Sequence, residues 1–304
     1  MYDIIGDVHG YADKLSQLLE LLGYSSQNGI YQHKHRKAVF VGDWIDRGPQ
    51  IRQTLALVRS MIDTGSALGV LGNHEFNALA FHQEKLTGGY YRQHSPPNII
   101  QHYQTLYQFR NHLDEWQGYL DWFYSVPLFL SLDRIRVVHA CWDEANIQLL
   151  QHQLGEGKLA PGLLPEAATK HTALWKAIEE TLKGKEATLP NKLVFSDKDG
   201  HTRHKSRIRW WTEVTSATTY GEYFFDAPAP IADVCIDQSV YSAQLQNDTD
   251  TRPLFFGHYW LTGSPWLTSK RASCLDFSVA KDGVLAAYSW QGETELKVDH
   301  LFWV

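Results

Sequence analysis

Short apolar runs recur along the chain, and each is closed by glycine or histidine with polar residues beyond it. Tyr2-Asp3-Ile4-Ile5 precedes Gly6-Asp7-Val8-His9-Gly10, and Ala38-Val39-Phe40-Val41 precedes Gly42-Asp43-Trp44-Ile45-Asp46-Arg47-Gly48. Leu68-Gly69-Val70-Leu71 precedes Gly72-Asn73-His74-Glu75, Ile135-Arg136-Val137-Val138 precedes His139, and Leu254-Phe255-Phe256 precedes Gly257-His258. Runs of this length, rich in Val, Ile and Phe and stopped by Gly, predict buried strands. Helical spacing follows the first ones: Leu15, Leu18, Leu19 and Leu22, then Ile51, Leu55, Val58 and Ile62, with a third helix opening at Phe76. Strand, polar turn, helix, strand is α/β logic, and ligands are expected beyond the C-terminal ends of the strands.

The rest is less regular. Residues 84–98, with Gly88-Gly89 and Pro96-Pro97, predict a loop, and residues 102–124 an aromatic helical stretch. The stretch from Ala272 predicts β-structure with turns at Lys281-Asp282-Gly283 and Gln291-Gly292-Glu293. Because the polar strand ends run from Asp7 to His258, residues 1–304 are expected to form a single functional domain, with 84–130 and 146–250 as cap or insertion regions.

Composition narrows the classes. The 304 residues are 43% apolar and 20% charged, a globular balance. Three cysteines without paired spacing exclude a disulfide scaffold and a cysteine zinc finger. A net charge of −6 argues against a stable nucleic-acid partner. No apolar run is long enough to span a bilayer, and the first residues lack a basic signal-peptide region, so a cytoplasmic protein without a membrane partner is expected.

The five strand ends carry Asp and His; Asp, Asp and Arg; Asn and His; His; and His. Carboxylate, neutral imidazole and amide oxygen suit Mn²⁺, Fe²⁺ or Zn²⁺. There are too many donors for one tetrahedral site. Two divalent ions sharing a bridging carboxylate account for them, and such a pair suits attack of water on phosphorus. Two aspartates and a hydroxide leave a small positive surplus for a phosphate dianion. Arg47 adds a fork matched to phosphate oxygens.

Taken together, the Gly6–Gly10, Gly42–Gly48, Gly72–Glu75, His139-Ala140 and Gly257-His258 segments resemble the signature of the calcineurin-like metallophosphoesterases. Within them the chain is most similar to the phosphoprotein-phosphatase branch, which includes bacterial and phage serine/threonine phosphatases and symmetrical diadenosine tetraphosphatases. The resemblance implies a four-layer α/β/β/α sandwich of two mixed β-sheets flanked by helices, with insertions forming a cap. It implies that Asp7, His9 and Asp43 hold one metal, that Asp43 bridges, and that Asn73, His139 and His258 complete the second. His74 would be the general acid, with Asp46 orienting its imidazole. Arg47 and Asn73 would bind the phosphate. The nucleophile would be a metal-bridging hydroxide. Manganese is the first expectation for the two divalent ions, with Fe, Zn, Co or Ni accepted by the same donors.

The implied activity is hydrolysis of phosphate monoesters, on a phosphoprotein or a small phosphorylated metabolite. A symmetrical dinucleoside-tetraphosphate hydrolase is the second reading. A non-catalytic binding protein on the same fold is the third, and the completeness of the donor set weighs against it. The chain departs from the family where Cys141-Trp142, Tyr259-Trp260, Leu71 and Leu275-Asp276-Phe277-Ser278 stand, all on the substrate side.

Secondary candidates are fewer. Lys198 to Trp211 is basic, and if the segment is extended Arg207 and Arg209 share a strand face, which makes them candidates for substrate binding. Tyr90-Tyr91-Arg92 could line the cleft. Trp142, Tyr259 and Trp260 are candidate walls, and Cys141 is expected to be a buried small residue. Of fifteen histidines, His9, His74, His139 and His258 are assigned chemistry. The others, among them His33, His35, His102, His112, His201 and His204, are expected to be surface or packing residues.

Overall fold

The glycine-closed runs form strands, as their β-branched and aromatic residues favour. The computed structural model describes residues 1–190, 193–196, 202–237, 240 and 250–304; Lys198 and His201 lie outside the described residues. The chain divides into two compact units, Met1–Lys183 with Arg252–Val304, and Gly184–Thr251.

In chain order the first unit opens with β1 (Tyr2–Ile5), α1 (Ala12–Leu21), the hairpin β2 (Ser25–Gln27) and β3 (Ile30–Gln32), β4 (Lys37–Phe40), α2 (Ile51–Asp63), β5 (Ala67–Gly69) and α3 (Asn73–His82). It continues with α4 (Pro96–Phe109), α5 (Leu113–Phe123), β6 (Phe129–Ser131), β7 (Arg136–Val138), α6 (Glu144–Leu154), α7 (Leu164–Ala167) and α8 (Ala173–Lys183). The second unit carries β8 (Glu186–Thr188), β9 (Phe195–Ser196), β10 (Thr202–Arg203), β11 (Lys205–Arg207) and α9 (Tyr220–Tyr223). The first unit then resumes with β12 (Leu254–Phe256), β13 (Ala272–Cys274), β14 (Asp276–Phe277), β15 (Val284–Trp290) and β16 (Leu301–Trp303).

One sheet runs β14-β15-β1-β4-β5, with β16 also paired to β15. Its β1, β4 and β5 are parallel, while β15 lies antiparallel to β1 with Trp290 opposite Tyr2. The other sheet runs β13-β12-β7-β6, with β13 and β7 parallel to β12 and β6 antiparallel to β7. Both sheets are therefore mixed. Ile4, Val39, Val41 and Val70 from the first sheet and its strand ends share one buried cluster with Ile135, Val137 and Phe255 from the second. That shared core is what packs the sheets face to face. Each such side chain stabilises the fold by about 2 kcal/mol when fully buried.

Helices cover the outside. Leu15, Leu18 and Leu19 of α1 and Ile51, Leu55 and Val58 of α2 are buried on the side of the first sheet. At the second sheet, the Ala140 and Cys141 amides donate to Thr181 O of α8 at 3.0 and 3.1 Å, tying that helix to the end of β7. Helix, sheet, sheet and helix give the four-layer order.

Two local expectations are refined. The 84–98 loop ends early because α4 starts at Pro96, with Pro96-Pro97 in the first turn, where a missing N–H leaves no bond unmade. The 102–124 stretch is two helices, broken between Phe109 and Leu113. The second unit has its own core of Leu189, Ile208, Tyr220, Tyr223, Phe224 and Ile231, and β11 pairs with β8. Among the described residues no helix is long and apolar enough to cross a membrane.

Candidate metal centre and active site

The C-terminal ends of β1, β4 and β5 in one sheet, and of β7 and β12 in the other, deliver Asp7 and His9, Asp43 and Asp46, Asn73 and His74, His139, and His258. The backbones cross-link there: His9 N donates to Asp43 O at 2.8 Å, and Gly257 N to His139 O at 2.7 Å. Among the described residues nine non-glycine positions have positive φ, and five stand here: His9, Asp43, Asp46, His258 and Trp260. Each departs from the favoured backbone regions at a cost of about 1–3 kcal/mol, and such strain gathers where a side chain must be aimed. Glycines supply the remaining close approaches. A Cβ on Gly257 would lie 1.9 Å from Asp7 Oδ1, and one on Gly42 (φ 102°) 2.6 Å from Gly72 N.

The hydrogen bonds fix which atoms face inward. His9 donates through Nδ1 to Ile45 O at 2.9 Å, and His139 through Nδ1 to Val41 O at 2.7 Å, because a carbonyl only accepts. Each ring therefore turns its Nε2 to the centre, the orientation of metal-binding imidazoles. The two Nε2 atoms stand 3.7 and 3.4 Å from Asp43 Oδ2, and His139 Nε2 is 3.1 Å from Asn73 Oδ1. His9 Nε2 and Asp7 Oδ1 are buried without any hydrogen-bond partner. For these two atoms no donor stands opposite. That arrangement costs several kcal/mol unless a cation lies between them. Among the described residues two donor triplets meet the spacing of a metal site, His9-Asp43-His74 and Asp43-His139-His258, each within 4.8 Å. Asp43 belongs to both. The residues would fit a pair of divalent ions, with Asp43 as the carboxylate common to both. Asp7 lies beside the triplets, with Oδ2 accepting from His258 N at 3.0 Å.

Charges follow this geometry. Burial alone would raise Asp43, but His139, His74 and His9 outweigh it and hold its carboxyl well below the usual range. Burial, Asp276 and Asp43 together push Asp7 well up. Burial pulls His9 down to about 4, which keeps it neutral and able to ligate. Glu75 accepts from the Gly72, Asp43 and Trp44 amides at 3.0, 3.0 and 2.7 Å, so it clamps the β4 loop to the start of α3. Burial and the neighbouring Asp43 raise Glu75 to about 7. Nothing in the Gly72-Asn73-His74-Glu75 pattern alone points to this clamp.

His74 is treated differently from the other rings. Its Nδ1 donates to Asp46 Oδ2 at 2.6 Å, while its Nε2 stands 3.9 Å from Asp43 Oδ2. Burial lowers its pKa, but Asp43 and Asp46 more than compensate and raise it above the ordinary histidine value. This suits a proton donor better than a ligand.

Asp46 has a second imidazole. His102 Nδ1 donates to Asp46 Oδ1 at 2.6 Å, and Thr105 Oγ1 donates to the same oxygen at 2.7 Å. Beyond it, His102 Nε2 is 3.2 Å from His82 Nε2, and Trp116 Nε1 donates to that His82 nitrogen at 3.0 Å. Indole only donates and carboxylate only accepts, so His82 Nε2 accepts from Trp116 and His102 Nδ1 donates to Asp46. The sequence expectation that His102 merely packs is corrected. It lies on α4 beside Gln101 and Thr105, and helical spacing gave no sign that this face meets Asp46. Gln101 Nε2 is 3.5 Å from His74 Nε2, and Gln101 Oε1 accepts from Arg92 Nη2 at 2.5 Å. Arg92 thus sits one side chain from His74.

The other candidates separate. Arg47 is exposed, and its charge lowers the pKa of both His9 and His74. Tyr259 is buried against Phe256, and Trp142 packs on Phe129 and Arg136, so both are core residues. Trp260 is half-buried and stacks on His9 with ring centroids 5.4 Å apart. Cys141 is buried. Tyr90 stacks on His94 at 3.9 Å. Arg207 and Arg209 belong to the second unit, where both stand over the Phe225 ring, at 5.1 and 5.7 Å. Arg207 also lies 4.0 Å from Asp226 Oδ2, and Arg209 donates to Gly221 O at 3.1 Å.

Comparison with known proteins adds kinship to this geometry. A bis(5'-nucleosyl)-tetraphosphatase PrpE of the asymmetrical kind, from Oceanobacillus iheyensis, is 34% identical over 139 residues, 45% of this chain and 54% of that protein. A symmetrical bis(5'-nucleosyl)-tetraphosphatase from Psychromonas ingrahamii is 42% identical over 81 residues, 26% of each chain. The chain thus spans about half or less of the length of these curated relatives. The crystal structure of a cold-active protein-tyrosine phosphatase from a psychrophilic Shewanella superposes with a TM-score of 0.50 at 17% identity, covering 95% of this chain and 75% of that one, a likeness of fold. The profile of the calcineurin-like phosphoesterases matches residues 2–154, half of the chain and the part that carries Asp7 through His139, so the protein belongs to the calcineurin-like phosphoesterase family.

Proposed function

We propose that the protein is a divalent-metal-dependent hydrolase of phosphate esters. The observation that carries this is the convergence of carboxylate and imidazole atoms around Asp43, with His74 beside them held by Asp46. Asp7, His9 and Asp43 would hold one ion, and Asp43, Asn73, His139 and His258 the other, and the pair would supply Lewis acidity and an activated water for in-line displacement. Arg47 would fork two phosphate oxygens, and the Asn73 amide would orient a third. His74 would deliver its Nε2 proton to the leaving oxygen, while Asp46 stabilises the imidazolium through Nδ1. Manganese is the first metal to try, since this donor set accepts several. Three free cysteines suit a reducing cytoplasm, and the acidic net charge disfavours a nucleic-acid partner.

Phosphomonoesters of a protein or a small metabolite are the first substrate class. Dinucleoside tetraphosphates are the second, favoured by the names of the relatives. Chelator-sensitive turnover of p-nitrophenyl phosphate with Mn²⁺ tests the enzyme; no turnover with any first-row metal would sink it. Product analysis on diadenosine tetraphosphate then sorts the classes. ADP alone marks symmetrical cleavage, ATP with AMP marks asymmetrical cleavage, and a strict monoesterase leaves it intact.

A further inference from the structure

We infer that Arg92, together with Gln101, binds the leaving group on the His74 side of the centre, so that the favoured substrate releases a leaving group with its own carboxylate or phosphate; this rests on the phosphoesterase reading for the place of the leaving oxygen at His74 Nε2. A segment folded back on α3 brings Arg92 there. Arg92 N donates to Ala80 O at 2.8 Å, and Tyr91 N to Gln83 O at 3.2 Å. His94 stacks on both the Phe81 and Tyr90 rings at 3.9 Å, and its Nε2 donates to Phe81 O at 2.8 Å. The guanidinium is then held from two helices. Nη1 donates to Asn77 Oδ1 of α3 at 3.1 Å, and Nη2 to Gln101 Oε1 of α4 at 2.5 Å.

Both partners are neutral amides. Among the described residues no carboxylate stands within ion-pair reach of Arg92, although the residue is half-buried. Burial outweighs the more distant Asp46 and Glu179 and pulls its pKa below the ordinary arginine value. A cation drawn out of water without a counter-charge is costly, and an anion from outside relieves that cost. The amides take two N–H groups, and a guanidinium has others left for a ligand. A neutral side chain would tie the same amides, so the tie alone does not account for the charge.

Arg92 also sets the direction of the Gln101 amide. Guanidinium only donates, so the Gln101 atom it meets is the oxygen, and the NH2 end faces His74 Nε2 at 3.5 Å. In hydrolysis the bond from phosphorus to the leaving oxygen breaks with its electron pair, and that oxygen takes its proton at the same His74 nitrogen. The leaving oxygen therefore arrives beside Gln101, and what it carries continues towards Arg92. His74 is buried while Gln101 and Arg92 are half-buried, so the row leads outward from the centre. A serine alcohol gives Arg92 nothing to pair with, whereas a nucleotide or a hydroxy acid brings the anion that its fork matches.

The test compares ligand pairs that differ only in the leaving group. One pair is 3-phosphoglycerate and glycerol 3-phosphate, which exchange a carboxylate for a hydroxymethyl group. The other is ADP and AMP, whose leaving groups are AMP and adenosine. Each pair is titrated calorimetrically into the chelator-treated full chain, and kcat/KM is measured with Mn²⁺. Arg92→Gln is expected to weaken the member with the charged leaving group about tenfold more than its match, the scale of one charge-assisted hydrogen bond. Arg92→Lys should restore part of the difference. Asn77→Asp keeps Arg92 and supplies the missing carboxylate, so it should reproduce the selective loss. Equal losses within both pairs, or no loss in either, would overturn the subsite, and so would an unchanged ratio in Asn77→Asp. A selective loss of binding in a protein that hydrolyses no ester would keep the subsite and remove the enzymatic reading. Turnover with equal losses would do the reverse.

Discussion

Asp46 accepts a hydrogen bond from His74 through Oδ2 and from His102 through Oδ1, each at 2.6 Å. One carboxylate therefore aligns two imidazoles from different helices. Asp46→Asn should lower kcat by about a hundredfold, the scale of general acid catalysis. Burial opposes a charged His74 while Asp43 and Asp46 favour it, so losing Asp46 should move the alkaline limb of the kcat/KM profile to lower pH. Manganese affinity, read by calorimetry, should hold. Full activity in this variant would remove His74 from its role.

The far side of the pair can be probed separately. His102→Leu leaves Asp46 one donor short and should cost about tenfold in kcat with KM little changed, since a lost hydrogen bond to a buried charge costs about 1.5–3 kcal/mol. His102→Asn keeps a donor near the Nδ1 position and should recover part of the loss. Equal activity in the two variants would mean that His102 only fills space.

Asp43 belongs to both donor triplets, so Asp43→Asn should abolish binding of both metals, whereas His258→Ala should spare the site built on His9. Metal content by atomic emission gives the stoichiometry. The thermal midpoint gives a second reading, because ligands that bind only the folded state raise it. A two-metal stoichiometry surviving in Asp43→Asn would refute the bridge.

Glu75 gives the metal-free protein a pH dependence of known sign. Burial and Asp43 raise its folded-state value to about 7 from an ordinary 4.5. Below 4.5 both folded and unfolded chains keep the proton. Between 4.5 and about 7 only the folded chain keeps it, so stability falls as pH rises, on the order of 3 kcal/mol, and is level above. Asp7, also raised, adds to the same slope. Urea midpoints of chelator-treated protein from pH 4 to 8 should show the fall, and Glu75→Gln should flatten it. A stability that climbs through this window would contradict the assignment.

Gly257→Ala tests the closeness of the last strand end. Its new methyl would meet Asp7 Oδ1 at 1.9 Å and Asp7 Cγ at 2.9 Å, so Asp7 must swing away. Loss of one metal equivalent is expected, with the circular dichroism of the fold retained. Unchanged metal content would show that Asp7 is not a ligand.

The donors around Asp43 could be read from sequence because each follows an apolar strand and a glycine, a local signal that parallel pairing turns into proximity. The partners from α4 could not. His102 sits beside Gln101 and Thr105 on a helical face, and such spacing is the same whether the face meets a core or a carboxylate. Glu75 was visible but mute, since its role lies in three backbone amides. Trp142, Tyr259 and Trp260 looked alike in sequence. Only tertiary packing sends the first two to the core and leaves Trp260 against His9.

The pairing of β15 with β1 has a consequence for biosynthesis. The second strand to flank β1 is almost the last to leave the ribosome, and His258 emerges only after the whole 184–251 unit. At usual synthesis rates β1 waits on the order of 15–60 s with one edge unpaired. An open edge of that kind recruits strands from other chains. The nascent protein therefore passes through a window in which it can neither load its full metal complement nor protect its central strand, and chaperone demand should peak before residue 290 is made.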